Sequence, residues 1–155
     1  MTIDEDLALR CITTPGHRPH SAAYLLLPHG FAIVDETFGY FRGRSLAAPG
    51  GDTNINEALV SVAKFNDVEL SGIGFSYGGA VTGALAKRHI TLLHQNTVDL
   101  KSEVLKARNN GFSEMEIVEQ VRAGFYTAEH RDPCLTDSLE QTFKAVMRQL
   151  SSATN

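Results

Sequence analysis

The residues best placed to do chemistry begin at Thr13-Thr14-Pro15-Gly16-His17-Arg18-Pro19-His20-Ser21. Pro15-Gly16 breaks the preceding apolar run and puts an imidazole, His17, at the tip of a tight turn. A second group follows Phe31-Ala32-Ile33-Val34, where Asp35 and Glu36 stand side by side. An imidazole at one strand end and a carboxylate at another can converge on one metal ion. His17 and Asp35 are the leading ligand candidates, with His20 and Glu36 behind them. His29, in the turn Pro28-His29-Gly30, falls at the far end of its hairpin from His17. His89, His94 and His130 have no ligand spacing and read as surface or helix-terminal residues. Gly74-Phe75-Ser76-Tyr77-Gly78 has the form of a nucleophile elbow, with Asp99 and His130 as nominal partners. The order of elements is not that of a repeated β-α-β sheet, however, and no residue is assigned a catalytic role.

The elements that must position these groups follow from the breakers. Leu7–Thr13, Ala22–Leu27 and Phe31–Val34 read as strands after a loose acidic end, and Val68–Gly74 as a fourth. Gly30 suits a hairpin turn that needs positive φ. Asn54 and Glu57 are spaced as an N-cap and its partner, opening a helix to about Phe65. A short helix is expected from Thr82 to Arg88. A long one follows from Thr91 to Asn109, stopped by Asn110-Gly111. Ser113 and Glu116 form a second capping box, and a last helix is expected from Ser138 to Leu150.

This order resembles the C-terminal half of the metallo-β-lactamase fold. The family's third motif, T-P-G-H-S-x-G-S, is close to Thr14-Pro15-Gly16-His17 and its hairpin. In the fourth, G-D, Val34 replaces the Gly and Asp35 keeps the Asp. The fifth motif, G-H-G-x-x-x-T-G, aligns with Ser76–Gly83 and has Tyr77 at its His. A phenol holds its proton at neutral pH and is a poor zinc ligand. The first motif, His-x-His-x-Asp-His, should lie upstream, but Met1–Ile12 contains no His. The resemblance implies an α/β (α+β) fold: half of an αββα sandwich, with about four strands, helices on one face and a helical tail. It is one domain over 1–155, with the sheet in 1–90 and the tail in 91–150. It also implies His17 and Asp35 as metal ligands, weak or vestigial zinc (or iron or manganese), and a cleft lined by Tyr77, Phe38 and Tyr40.

A chain of 155 residues can bury a real core. The net charge of -4 gives no basic footprint for nucleic acid, and no apolar run is long enough for a membrane span. The acidic start is unlike a signal peptide, so a cytoplasmic location is expected. Cys11 and Cys134 are expected to be free thiols. Ala22–Leu27 and Phe31–Val34 are apolar without alternation, as in strands covered on both faces. In the complete family fold the sheet of the other half supplies that cover. Here the expected partner is a second copy, in an obligate homodimer centred on Tyr24–Leu27. The leading expectation is a half-size domain, non-catalytic as a single chain, acting through assembly. The rival is a metal-dependent hydrolase whose N-terminal half comes from a partner chain or lies outside this sequence. A small-molecule-binding module is the third reading.

Overall fold

The computed structural model describes residues 2–4, 6–41, 45–46, 54–125 and 144–149. In chain order come β1 (Thr2–Asp4), β2 (Leu7–Thr13), β3 (Ala22–Leu27), β4 (Phe31–Val34), β5 (Tyr40–Phe41), β6 (Ser45–Leu46), α1 (Ile55–Ala63), β7 (Gly72–Phe75), β8 (Ala80–Thr82), α2 (Ala84–Asn109) and α3 (Glu114–Phe125). Residues 144–149 are helical, and the rest of the helix expected over Ser138–Leu150 lies outside the described residues.

The sheet is larger than the four strands expected. Six strands run in the order β1-β2-β3-β4-β7-β8, and β5-β6 form a separate ribbon. The acidic start pairs as β1 along β2 rather than staying loose. Every pair in the main sheet is antiparallel except β4 with β7. That parallel pair needs a crossover, which α1 provides. β7 starts later than Val68 because its partner β4 is four residues long, and Phe31 pairs with Gly72. The turn between β3 and β4 has Gly30 at φ +70°.

Burial along β3 and β4 alternates. Ala23, Leu25, Ala32 and Val34 are buried, while Tyr24 and Ile33 are 41% and 51% exposed. Within one chain these strands are covered on one face only, and Leu25, expected near the centre of the dimer interface, lies on the covered face. The buried side joins Ile73, Phe75 and Val81 under Val62, Phe65, Ala86, Ile90 and Leu93, so the helices lie on one face. A second cluster holds the helical tail together: Ile55, Leu100, Val104, Ala107, Ile117, Val118, Val146 and Met147.

Helix ends follow local chemistry. Asn54 Oδ1 accepts from the Glu57 backbone N–H at 3.2 Å. Ser113 and Glu116 close a reciprocal box, with Glu116 Oε2 accepting from the Ser113 N–H at 2.8 Å and its hydroxyl at 2.7 Å. These bonds hold the Glu116 carboxyl below its usual pKa. The break expected between Arg88 and Thr91 does not occur. His89 and Ile90 are buried against the sheet, and α2 runs unbroken through them. His89 is therefore a core residue, not a surface one.

Candidate functional site

Three loops meet at one end of the sheet: 14–21 after β2, 35–39 after β4 and 76–79 between β7 and β8. The first closes on itself. The Thr14 N–H donates to Ser21 O at 2.8 Å, and the Arg18 N–H donates to Ser21 Oγ at 3.2 Å. Gly16, at φ +155°, lies hard against its neighbours. A Cβ there would stand 2.8 Å from Thr37 Cγ2 and 2.9 Å from Ala58 Cα. Only glycine allows this approach, and the approach lets α1 grip the turn. The Asn54 N–H donates to Gly16 O at 2.7 Å, and the Ser61 hydroxyl donates to Pro15 O at 2.6 Å.

Asp35 ends β4 and caps a single 3-10 turn, Glu36–Phe38, by accepting from the Thr37 N–H at 3.1 Å. The Thr37 side chain then joins the two loops. Its hydroxyl donates to Thr14 O and accepts from the His17 N–H, both at 3.1 Å. His17 Nε2 consequently stands 4.0 Å from Glu36 Oε2, with both side chains mostly buried. The sequence carried a signal for this arrangement in Asp35-Glu36-Thr37, an Asx-type cap with a hydroxyl two residues on. Thr37→Val should leave the Thr14 carbonyl and the His17 N–H without this partner. The expected loss is about 1–2 kcal/mol of stability, read by denaturant unfolding, with broadened NMR signals for the 14–21 loop.

The other candidates fall differently. His20 and His29 are exposed, His29 at the opposite end of the sheet. Phe38, expected to line the cleft, is fully buried and packs edge-on against Phe65 at 4.9 Å, so it anchors the 3-10 turn from below. Tyr40 and Tyr77 do face each other, with centroids 6.2 Å apart. Tyr77 is half exposed, and its hydroxyl makes no hydrogen bond to Asp35. Ser76 follows a strand but precedes a hairpin turn into β8, not a helix. Its hydroxyl donates to Val34 O at 3.1 Å, which excludes the nucleophile-elbow geometry. His130 and Cys134 lie outside the described residues. Cys11 is a free, exposed thiol. Beneath the site, His89 Nε2 bonds to Phe38 O at 2.7 Å and its ring meets Phe75 edge-on.

A metal fits this arrangement only in part. His17 and Glu36 face each other, while one Asp35 oxygen is occupied by the cap. Among the described residues, no three His, Cys, Asp or Glu side chains are grouped to hold an ion. A catalytic zinc needs three protein ligands. The described donors do not complete a centre within one chain. Among the described residues no helix is long and apolar enough to cross a membrane.

A mixed sheet with its helices on one face has the layout of one half of a metallo-β-lactamase-type sandwich fold. Solved structures bear out that fold. The chain is similar to an archaeal metallo-β-lactamase superfamily protein, ST1585 from Sulfolobus tokodaii, at 17% identity and TM-score 0.51. The match covers 94% of this chain and 46% of that one. It is also similar to the stereoselective inverting sec-alkylsulfatase Pisa1 from Pseudomonas sp., at 12% identity and TM-score 0.65, over 96% of this chain and 26% of that one. The chain thus spans less than half the length of either. No protein-family model and no curated protein matches it.

Proposed function

We propose that this chain is a half-size metallo-β-lactamase-like domain, without hydrolytic activity as a single chain, that acts through assembly. The observation that carries the reading is the donor count at the sheet end: His17 against Glu36, with Asp35 turned to capping. Two donors leave most of a coordination sphere to water, so affinity and geometry are poorly fixed. A second reading rests on the bracing of the site. Thr37, Gly16 and α1 hold His17 firmly, as a centre completed by a partner chain would require. In that case a metal-dependent hydrolase would form only with the partner's donors in place.

Calorimetric titration with zinc separates the two. The isolated chain should bind zinc more weakly than micromolar, and His17→Ala should change the titration little. Stoichiometric, submicromolar binding that His17→Ala abolishes would reject the non-catalytic reading.

A further inference from the structure

Among the described residues, the helices cover one face of the sheet, and the other, open face carries the half-exposed Tyr24 and Ile33. Strand register puts Cys11, Tyr24 and Ile33 in one row across the open face, continued by Gly74 and Ala80. Leu9, Leu26 and Phe31 make the next row, continued by Gly72 and Thr82. None of these residues is Asp, Glu, Lys, Arg or His. The face is also level. A Cβ on Gly72 would meet the Phe31 ring at 2.6 Å and one on Gly74 would meet it at 3.2 Å, so the ring lies flat over β7. Glycine in a strand is suited to such close cover. Tyr24 and Ile33, paired on the two middle strands, stand at its centre.

We infer that a second copy of this chain covers the open face, sheet against sheet about a two-fold axis through the Tyr24–Ile33 region. This inference rests on the assembly reading above and names the partner. Size favours it. Six strands about 4.8 Å apart, of three to seven residues each, present a flat area on the order of 400 Å² per copy. Side-chain relief raises that toward the roughly 800 Å² per partner of a stable interface. An apolar patch of that size is among the largest that single chains carry, and such patches often mark interaction sites. Charge favours it too. Each chain carries a net -4, so two copies repel unless they meet on surfaces free of charge. The two central rows meet that condition, with Asp4 placed by its pairing with Leu7 at the edge of the face, and a symmetric contact needs only self-complementarity. Aligned sheet packing would place the two open faces about 10 Å apart.

The test uses the full chain. Light scattering at micromolar concentration should give twice 16.9 kDa. Ile33→Asp should run at the single-chain mass with an unchanged helical circular dichroism spectrum, because Ile33 is half exposed and contributes little to the monomer's own core. In a Cys134→Ser background, the Cys11 thiol should be protected from alkylation in the dimer and should become reactive on dilution. A single-chain mass for the unmodified protein would overturn the proposal. So would a dimer that survives Ile33→Asp. If Ile33→Asp fails to fold, the dilution series decides: Cys11 reactivity independent of protein concentration overturns the proposal. Zinc titration reports on His17 whatever the mass, so failure here is distinct from failure of the functional reading.

Discussion

Phe38→Ala is expected to cost about 3–5 kcal/mol of stability, and it should be felt at the site before the core gives way. Phe38 is fully buried, with its ring edge-on to Phe65. Truncation removes that contact and leaves a cavity between the 3-10 turn and the segment after α1. The same residue supplies the carbonyl that His89 holds at 2.7 Å, and it follows directly on Thr37, which links the two loops. A loosened Phe38 therefore frees Glu36 and His17 together. Urea unfolding should show the loss in midpoint, and hydrogen exchange should show faster opening of Glu36–Gly39 than of β2 and β3. Uniform opening of all these segments would mean that Phe38 supports the core generally and not the turn.

Acid should weaken this fold through His89. Burial is the larger influence and lowers its pKa, because the imidazolium is poorly solvated there; the bond to Phe38 O opposes this only in part. The sign follows from linkage. With the folded value below the unfolded 6.5, the stabilising contribution is complete above the unfolded value. It is lost as pH falls from there through the folded value, where the native state must also take up the proton. Between the two values the slope approaches about 1.4 kcal/mol per pH unit. His89→Gln keeps a donor for Phe38 O and removes the titration. Thermal melts from pH 7.5 to pH 5 should therefore show a steeper fall for the unmodified protein than for the variant. Parallel curves would assign the acid sensitivity elsewhere.

Much of the fold was legible where a run of one residue type ends at a hard breaker. Pro15-Gly16 and Pro28-His29-Gly30 delimit β2, β3 and β4 without error, and both capping residues, Asn54 and Ser113, stand where their helices begin. The misses arise where a neighbour decides. Residues 2–4 form a strand only because β2 offers an edge. β8, three residues long, takes up Thr82, so the helix expected from Thr82 begins at Ala84, after Gly83 at φ +58°. Ala22–Leu27 is apolar on both sides in sequence, but sequence records the character of a face and not what lies over it. At the site, His17, Asp35 and Glu36 were readable as neighbours across two loops. Their tie, Thr37, was readable only as the hydroxyl two residues after a capping Asp35; its carbonyl and amide partners, Thr14 and His17, come from a loop about twenty residues away and show only in the fold. Phe38 and His89 were misjudged for the same reason: an aromatic after acidic residues looks like a cleft wall, and a histidine amid Lys87 and Arg88 looks solvated.

The single parallel pairing in the sheet has a kinetic meaning. β1 to β4 form a meander whose contacts are local, and β7 with β8 form a hairpin of their own. Among the described strands the two units pair along β4 and β7, by four residue pairs from Phe31–Gly72 to Val34–Phe75. That seam cannot close until the chain from Asp35 to Ser71, with α1 inside it, has been drawn back over the sheet. The loop entropy of that return is spent before any seam contact forms. Folding of this chain is thus a joining of two quickly made pieces, and its rate is set by how soon α1 brings them edge to edge.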